Sequence, residues 1–188
     1  MLQNTFDRIY RNDEWNRGSG PGSHAQNTAK YVEFLNSFIR ENSIKSILDV
    51  GCGDWQLMSM VDLSGVRYKG IDISQVAVDI AKTRAPFGTD ISVGDIGDIR
   101  ESFDLVHVKD VLQHLEFSRC RKILDTISSR HKSALVINEY PGNTNDIQDG
   151  GYRPLSIASD PLCWPRSTMI SVFNEPAFRK SVTYIYPL

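Results

Sequence analysis

Apolar positions along the chain fall into five short β-rich runs separated by stretches of helical period. The runs Ser46–Val50, Tyr68–Ile73, Ile91–Asp95, Phe103–Lys109 and Ser133–Tyr140 read as strands one to five. Residues 74–85 (SQVAVDIAKTRA) set Val76, Ala77, Ile80 and Ala81 on one helical face behind Ser74 as N-cap. EFSRCRKILDTISSR does the same with Cys120, Ile123, Leu124 and Ile127. From about Ala25 to Asn42, Tyr31, Phe34, Leu35 and Phe38 recur at i, i+3, i+4 and i+7 and predict a helix covering one side of the sheet. Strands alternating with helices predict a parallel sheet wrapped by helices.

Beyond strand five the period disappears. PGNTNDIQDGGYRPLSIASDPLCWP is rich in Gly, Pro, Asn and Asp, and an irregular segment of this length in a domain is more often a functional loop than a linker. TMISVFNE and KSVTYIYPL then predict two final strands, an antiparallel pair joined by a turn at Pro176. There is no internal repeat.

A length of 188 residues and 21.2 kDa predicts one domain spanning 1–188, with an N-terminal arm at 1–24 and the irregular loop at 141–166. No apolar run approaches the roughly 20 residues of a membrane span. The opening MLQNTFDRIYRNDEW breaks up any apolar signal core, so a cytoplasmic protein is expected. Cys52, Cys120 and Cys163 lack paired spacing and read as free thiols. A formal charge of -2 and a pI near 6.1 show no basic excess, so nucleic acid is not an expected partner.

Chemistry concentrates where the first strand ends, in SILDVGCGDWQ. Two glycines spaced by one residue after a buried strand let backbone approach a ligand, or simply make a tight turn. A dinucleotide fingerprint would place a third glycine where Gln56 stands, which weakens a nicotinamide reading. Asp49 before the turn, Asp72 ending strand two and Asp95 after strand three instead suit a ligand with an ammonium, a ribose diol and an adenine, the parts of S-adenosylmethionine. Asp72 can accept both ribose hydroxyls or cap the following helix. Asp95 with the amide of Ile96 can mark the adenine edge. Cys52 has no His nearby in sequence and reads as a spacer in the turn rather than a nucleophile.

With these motifs, LDVGCGD, YKGIDIS, VGDI and FDLVHVKDVLQHL, the sequence resembles the class I S-adenosylmethionine-dependent methyltransferases along nearly its whole length. The resemblance implies an α/β, Rossmann-like, seven-stranded and mostly parallel sheet with an antiparallel final strand and helices on both faces. It implies a cofactor pocket lined by Asp49, Gly51, Cys52, Gly53, Asp72, Ile73, Asp95 and Ile96, with Lys109 and Asp110 beside the methyl donor. Trp55 and Gln56 stand where the family's third glycine is usual. GSGPGS, CGDW, KDVLQHL and NDIQDGGYRPLSI further resemble a small bacterial subfamily linked to surface polysaccharide or glycan genes, whose substrates are mostly undefined; the expected reaction is methyl transfer to a small or glycan-like acceptor at a hydroxyl oxygen.

Methyl transfer requires the acceptor to be positioned and, for a hydroxyl, its proton removed. Ligands of open α/β sheets lie at the carboxyl ends of strands, which selects Lys109, Asp110, His114, Asn138, Glu139 and Tyr140. His114 is the candidate base. Asp110, four residues earlier, shares its face if the turn is helical and orients the imidazole; otherwise His114 packs in the core. His107 reads as a satisfied sheet residue and His131 as a solvated helix end. NRGSGPGSH (residues 16–24) reads as a lid, with Arg17 or Ser23 contributing, or as a flexible arm. In the loop at 141–166, which would face the acceptor, Asp146, Asp149, Tyr152 and Arg153 suit a polyhydroxylated molecule, so Glu139, Tyr140, Asp146, Tyr152 and Arg153 form the expected acceptor set. Asp110, Glu139, Asp146 and Asp149 would be the oxygen ligands of a Mg2+ site, but without a tight acidic motif no metal is expected. An N-methyltransferase acting on an amine or protein side chain, and a non-catalytic cofactor-binding module, are the rival readings.

Overall fold

The computed structural model describes residues 2–186; residues 187 and 188 of the last predicted strand lie outside the described residues. Eleven main elements follow in the order α1 (Leu2–Arg11), α2 (Ala29–Glu41), β1 (Ser46–Val50), β2 (Arg67–Asp72), α3 (Gln75–Arg84), β3 (Asp90–Val93), β4 (Leu105–Lys109), α4 (Phe117–Arg130), β5 (Ala134–Glu139), β6 (Ser167–Asn174) and β7 (Arg179–Ile185). The sheet order is β3-β2-β1-β4-β5-β7-β6. Strands β1 to β5 pair in parallel, and β7 runs antiparallel to both β5 and β6. The order reverses between β1 and β4, and that switch point opens a crevice at their carboxyl ends.

Successive strand residues point to opposite faces, and the core divides accordingly. Leu48, Val50, Val106 and Val108 meet Phe6 and Ile9 of α1, Leu124 and Ile127 of α4, and Leu155 and Ile157 of the long loop. Ile47, Leu105, Leu135 and Ile137 meet Tyr31 and Leu35 of α2 and Val78 and Ala81 of α3. Such strands, buried on both sides, read as continuous apolar runs. Leu48 has no exposed surface, so Leu48→Ala should lower unfolding free energy by about 2–5 kcal/mol in urea denaturation; a loss below about 1 kcal/mol would contradict this packing.

All five predicted parallel strands form, most of them shorter at their ends, and the Ser74 hydroxyl caps α3 by accepting from Ala77 N. The helix expected from about Ala25 begins later, at Ala29, because residues 21–27 are spent on two short 3-10 turns. The segment at 141–166 carries neither helix nor strand. The larger departure is α1, which occupies much of the stretch read as an arm. Phe6, Ile9 and Tyr10 lie on its one buried face, a helical spacing present in the sequence but judged there only against the pattern of a signal peptide. No helix among the described residues is long and apolar enough to cross a membrane.

Candidate active site

The turn after β1 bends through left-handed backbone at Gly51 and Gly53, with φ of 72° and 58°. A Cβ on Gly51 would lie 2.3 Å from Val111 Cγ2, and one on Gly53 would lie 2.3 Å from Ser19 Oγ. The glycines therefore admit two neighbouring segments as well as a ligand. Trp55 takes φ of 66° in place of a third glycine. Burial of its indole, edge-on to Tyr68 with ring centroids 6.4 Å apart, offsets that backbone strain.

The carboxylate of Asp72 accepts Gly53 N at 2.9 Å on one oxygen and Ser74 N at 2.8 Å on the other. Burial pushes its pKa up to about 6, against the pull of those two amides. Each oxygen retains acceptor capacity, so the capping role and the diol-binding role are compatible. Asp95 accepts Gly97 N at 2.7 Å, and Ile96 is buried. Asp49 is engaged differently. Its two oxygens meet His107 Nδ1 at 2.7 Å and the Tyr68 hydroxyl at 2.9 Å, and His107 Nε2 meets the Tyr31 hydroxyl at 2.8 Å. His107 is thus the satisfied sheet residue its position suggested. Cys52 lies in the turn, and burial raises its thiol pKa well above the ordinary value, as suits a spacer.

At the end of β4, Asp110 stands in left-handed backbone with φ of 58°. Its carboxylate lies between two ammonium groups, Lys109 Nζ at 2.6 Å and Lys180 Nζ at 2.7 Å. Burial alone would raise the Asp110 pKa, but the two lysines outweigh it and hold it at about 2. Lys180 also reaches Glu139 Oε1 at 3.3 Å, and the other Glu139 oxygen accepts the Tyr152 hydroxyl. The expected pairing of Asp110 with His114 does not form, because a single 3-10 turn over residues 112–114 replaces the helix that would have aligned them and the lysines take the carboxylate. His114 Nδ1 instead meets the Gly151 carbonyl at 2.8 Å. The imidazole lies between the rings of Trp15 and Tyr152, with centroids 4.6 and 5.9 Å away. Burial lowers its pKa.

Three residues of the expected acceptor set point elsewhere. Asp146 Oδ1 accepts Phe117 N at 2.9 Å at the start of α4, where unpaired amides attract a carboxylate. Arg153 is buried with its guanidinium 4.0 Å from the Phe117 ring centroid. Tyr140 carries Arg179 over its ring at 5.0 Å. None of the three lines the cavity. Asp149 likewise accepts Glu116 N and pairs with Arg119 at 2.6 Å, so the four carboxylates considered for a cation do not converge. Asn138 is buried away from the cavity. His131 is buried beside Phe103 rather than solvated, with neither ring nitrogen hydrogen-bonded.

Residues 18–23 lie down over the crevice. The Ser19 hydroxyl donates to Asp54 Oδ1 at 2.7 Å and lies 2.9 Å from the Tyr10 hydroxyl. Asp54 has no exposed surface and also pairs with Arg84 of α3. Gln56 Nε2 bridges Asp54 and the Arg17 carbonyl, each at 2.8 Å. Lys109 Nζ donates to the Gly22 carbonyl at 2.6 Å. Ser23 lines the cavity and Arg17 does not. Asp54→Ala should free this segment, since the hydrogen bonds lost are worth about 1–3 kcal/mol. Trypsin cleavage after Arg17 in the native protein is then expected to accelerate by roughly tenfold or more; an unchanged rate would show that Asp54 does not hold the segment down.

Together these elements enclose a cavity of about 460 Å³, within the range of small-molecule sites. The β2–β3 end of the lining holds Asp72, Ile73, Asp95 and Ile96; the β4–β5–β7 end holds His114, Glu139 and Lys180, with Trp15 and Tyr152 against His114. The first end fits S-adenosylmethionine: a buried carboxylate with spare acceptor capacity suits a ribose diol, and the apolar side chains suit a flat adenine. Tyr10, Trp15, Ser19, Asp54, Gln113 and Lys180 were not singled out in the sequence. GSGPGS and CGDW pointed to the segments holding Ser19 and Asp54, whereas Lys180, at the start of a strand assigned from periodicity alone, gave no signal.

Residues 47–133 match the family described as a methyltransferase domain. Ribosomal protein L11 methyltransferase from Dictyoglomus turgidum is 27% identical over 166 residues, covering 83% of this chain and 54% of its own. The chain thus spans about half the length of that curated relative. Among solved structures, magnesium protoporphyrin IX methyltransferase from Synechocystis PCC 6803 with bound S-adenosylhomocysteine superposes with a TM-score of 0.69 at 14% identity, covering 97% of this chain and 96% of its own. An S-adenosylmethionine-dependent methyltransferase from Clostridium acetobutylicum superposes with a TM-score of 0.62 at 14% identity, covering 85% and 92%. Residues 47–133 thus match a methyltransferase domain, and the chain shares its fold with these solved methyltransferases.

Proposed function

We propose that the protein transfers a methyl group to a hydroxyl oxygen of a small, polyhydroxylated or glycan-like acceptor, with His114 as the general base. The observation that carries this reading is the imidazole lining the cavity, half-buried against two aromatic rings, with the hydrogen-bonding groups of Tyr152, Glu139 and Lys180 in the same lining. S-adenosylmethionine supplies an electrophilic methyl on a sulfonium. The chain's own work is to hold the acceptor oxygen in line and to take its proton at His114. The Trp15 and Tyr152 rings offer flat faces to a sugar or similar ring. Asp110, bound on both sides by ammonium groups, acts as a fixed anion that holds Lys109 and Lys180 in place.

The test is an acceptor screen that follows S-adenosylhomocysteine release and identifies the product by NMR. A methoxy product from a sugar or polyol supports the reading. Methylation confined to amines would overturn it. The similarity to a methyltransferase of ribosomal protein L11 favours a second reading, transfer to a protein side chain. An amine acceptor needs less base catalysis, so the two readings part on whether His114 is dispensable.

A further inference from the structure

Gln113 is buried and precedes His114 in the 3-10 turn, and its amide is held in one orientation. Glu139 N donates to Gln113 Oε1 at 3.0 Å, so the amide oxygen faces β5 and the NH2 group faces the other way. That NH2 nitrogen lies 3.5 Å from His114 Nε2, a long contact but one in which only the amide can be the donor. The opposite ring nitrogen, Nδ1, lies 2.8 Å from the Gly151 carbonyl, which can only accept. Both neighbours therefore require the same proton placement. The backbone around the ring is fixed as well: Gly150 N donates to the His114 carbonyl at 2.8 Å, and Arg153 N donates to the Gln113 carbonyl at 3.0 Å.

We propose that Gln113 is a positioning residue which, with the Gly151 carbonyl, holds His114 as the Nδ1–H tautomer and keeps the Nε2 lone pair on the cavity side as the proton acceptor. This rests on the reading of His114 as the base and adds the device that sets its tautomer. The chain of donation runs from Glu139 N–H to the Gln113 amide oxygen, from the Gln113 amide N–H to His114 Nε2, and from His114 Nδ1–H to Gly151. A hydroxyl that enters within reach of Nε2 replaces the long amide contact with a shorter hydrogen bond and gives its proton to that nitrogen.

The test is 15N NMR of the histidine side chains in the full-length protein, which needs no acceptor. The wild type is expected to show His114 with a pyrrole-type Nδ1 and a pyridine-type Nε2; the reverse pattern would overturn the proposal. In Gln113→Glu a carboxylate oxygen replaces the amide donor beside Nε2, and the titration of His114 should move upward by about one pH unit or more. Should that variant not fold, Gln113→Met, of similar volume, should turn the single tautomer into a mixture. An unmoved titration in a folded Gln113→Glu, or an unchanged single tautomer in Gln113→Met, overturns the role of Gln113. Failure of the base reading looks different: the tautomer is as stated, yet replacing His114 leaves turnover intact.

Discussion

His114→Ala is expected to lower turnover with a hydroxyl acceptor by about 10²–10⁴-fold, the usual worth of a positioned general base, while leaving the affinity for S-adenosylhomocysteine unchanged. The split follows from the geometry. His114 lies with Trp15 and Tyr152 on the β4–β5 side of the cavity, whereas the ribose-binding candidate Asp72 lies at the end of β2. Because burial lowers the His114 pKa, the imidazole is an unprotonated acceptor at neutral pH. Activity should therefore persist as pH falls and decline only below the ordinary histidine range near 6.5, where the ring takes up a proton. Added imidazole should restore part of the rate of the alanine variant by entering the space vacated between the two rings. Unchanged turnover in His114→Ala at pH 7 would remove the base and favour an amine acceptor.

Asp72→Ala should weaken S-adenosylhomocysteine by roughly 1.5–3 kcal/mol, the value of hydrogen bonds to a charged group, or about 10- to 150-fold. The carboxylate also receives Gly53 N and Ser74 N, so the variant leaves two amides unpaired. Thermal melting separates a lost ligand contact from a loosened turn, and Asp72→Asn, which keeps an acceptor oxygen, should fall between the two proteins. The native pKa of about 6 adds a sign. Above that pH the ionised carboxylate accepts from the ribose hydroxyls, and below it the protonated form loses acceptor capacity. Affinity should thus decline as pH falls through 6, and binding near pH 6 should release protons, visible as a dependence of titration heat on buffer ionisation enthalpy. Affinity that stays flat from pH 5 to 7.5 would contradict the assignment.

The strands, and the gathering of the candidate cofactor residues at their ends, were legible in the sequence because local rules and tertiary structure agree there. Val50–Gly51, Asp72 and Asp95–Ile96 sit at or just after the ends of β1, β2 and β3, and the parallel sheet brings those ends together at one edge. The expected acceptor set was less legible. Arg153 adjoins Tyr152 and Asp146 lies six positions before it, yet Asp146 serves the start of α4 and Arg153 the Phe117 ring, and neither lines the cavity. Lys180 reaches Asp110 across 70 positions, a contact created only by the antiparallel insertion of β7 beside β5. The helical assumption that joined Asp110 to His114 failed on the positive φ of Asp110 and the 3-10 turn that follows, features set by the lysines and the loop rather than by local propensity. Ser19 belongs to the segment 16–24, whose Gly-rich composition allowed either a lid or a free arm; its hydroxyl donates to Asp54, a partner 35 positions away that local sequence does not point to.

The crevice between β1 and β4 is expected to bind adenosyl ligands through Asp72 and its neighbours. Isothermal titration with S-adenosylmethionine and S-adenosylhomocysteine, with NAD as the comparison, measures this. One site is expected, with micromolar affinity for both adenosyl ligands and none for NAD. Absence of binding by either adenosyl ligand, or NAD binding as tightly, would contradict it.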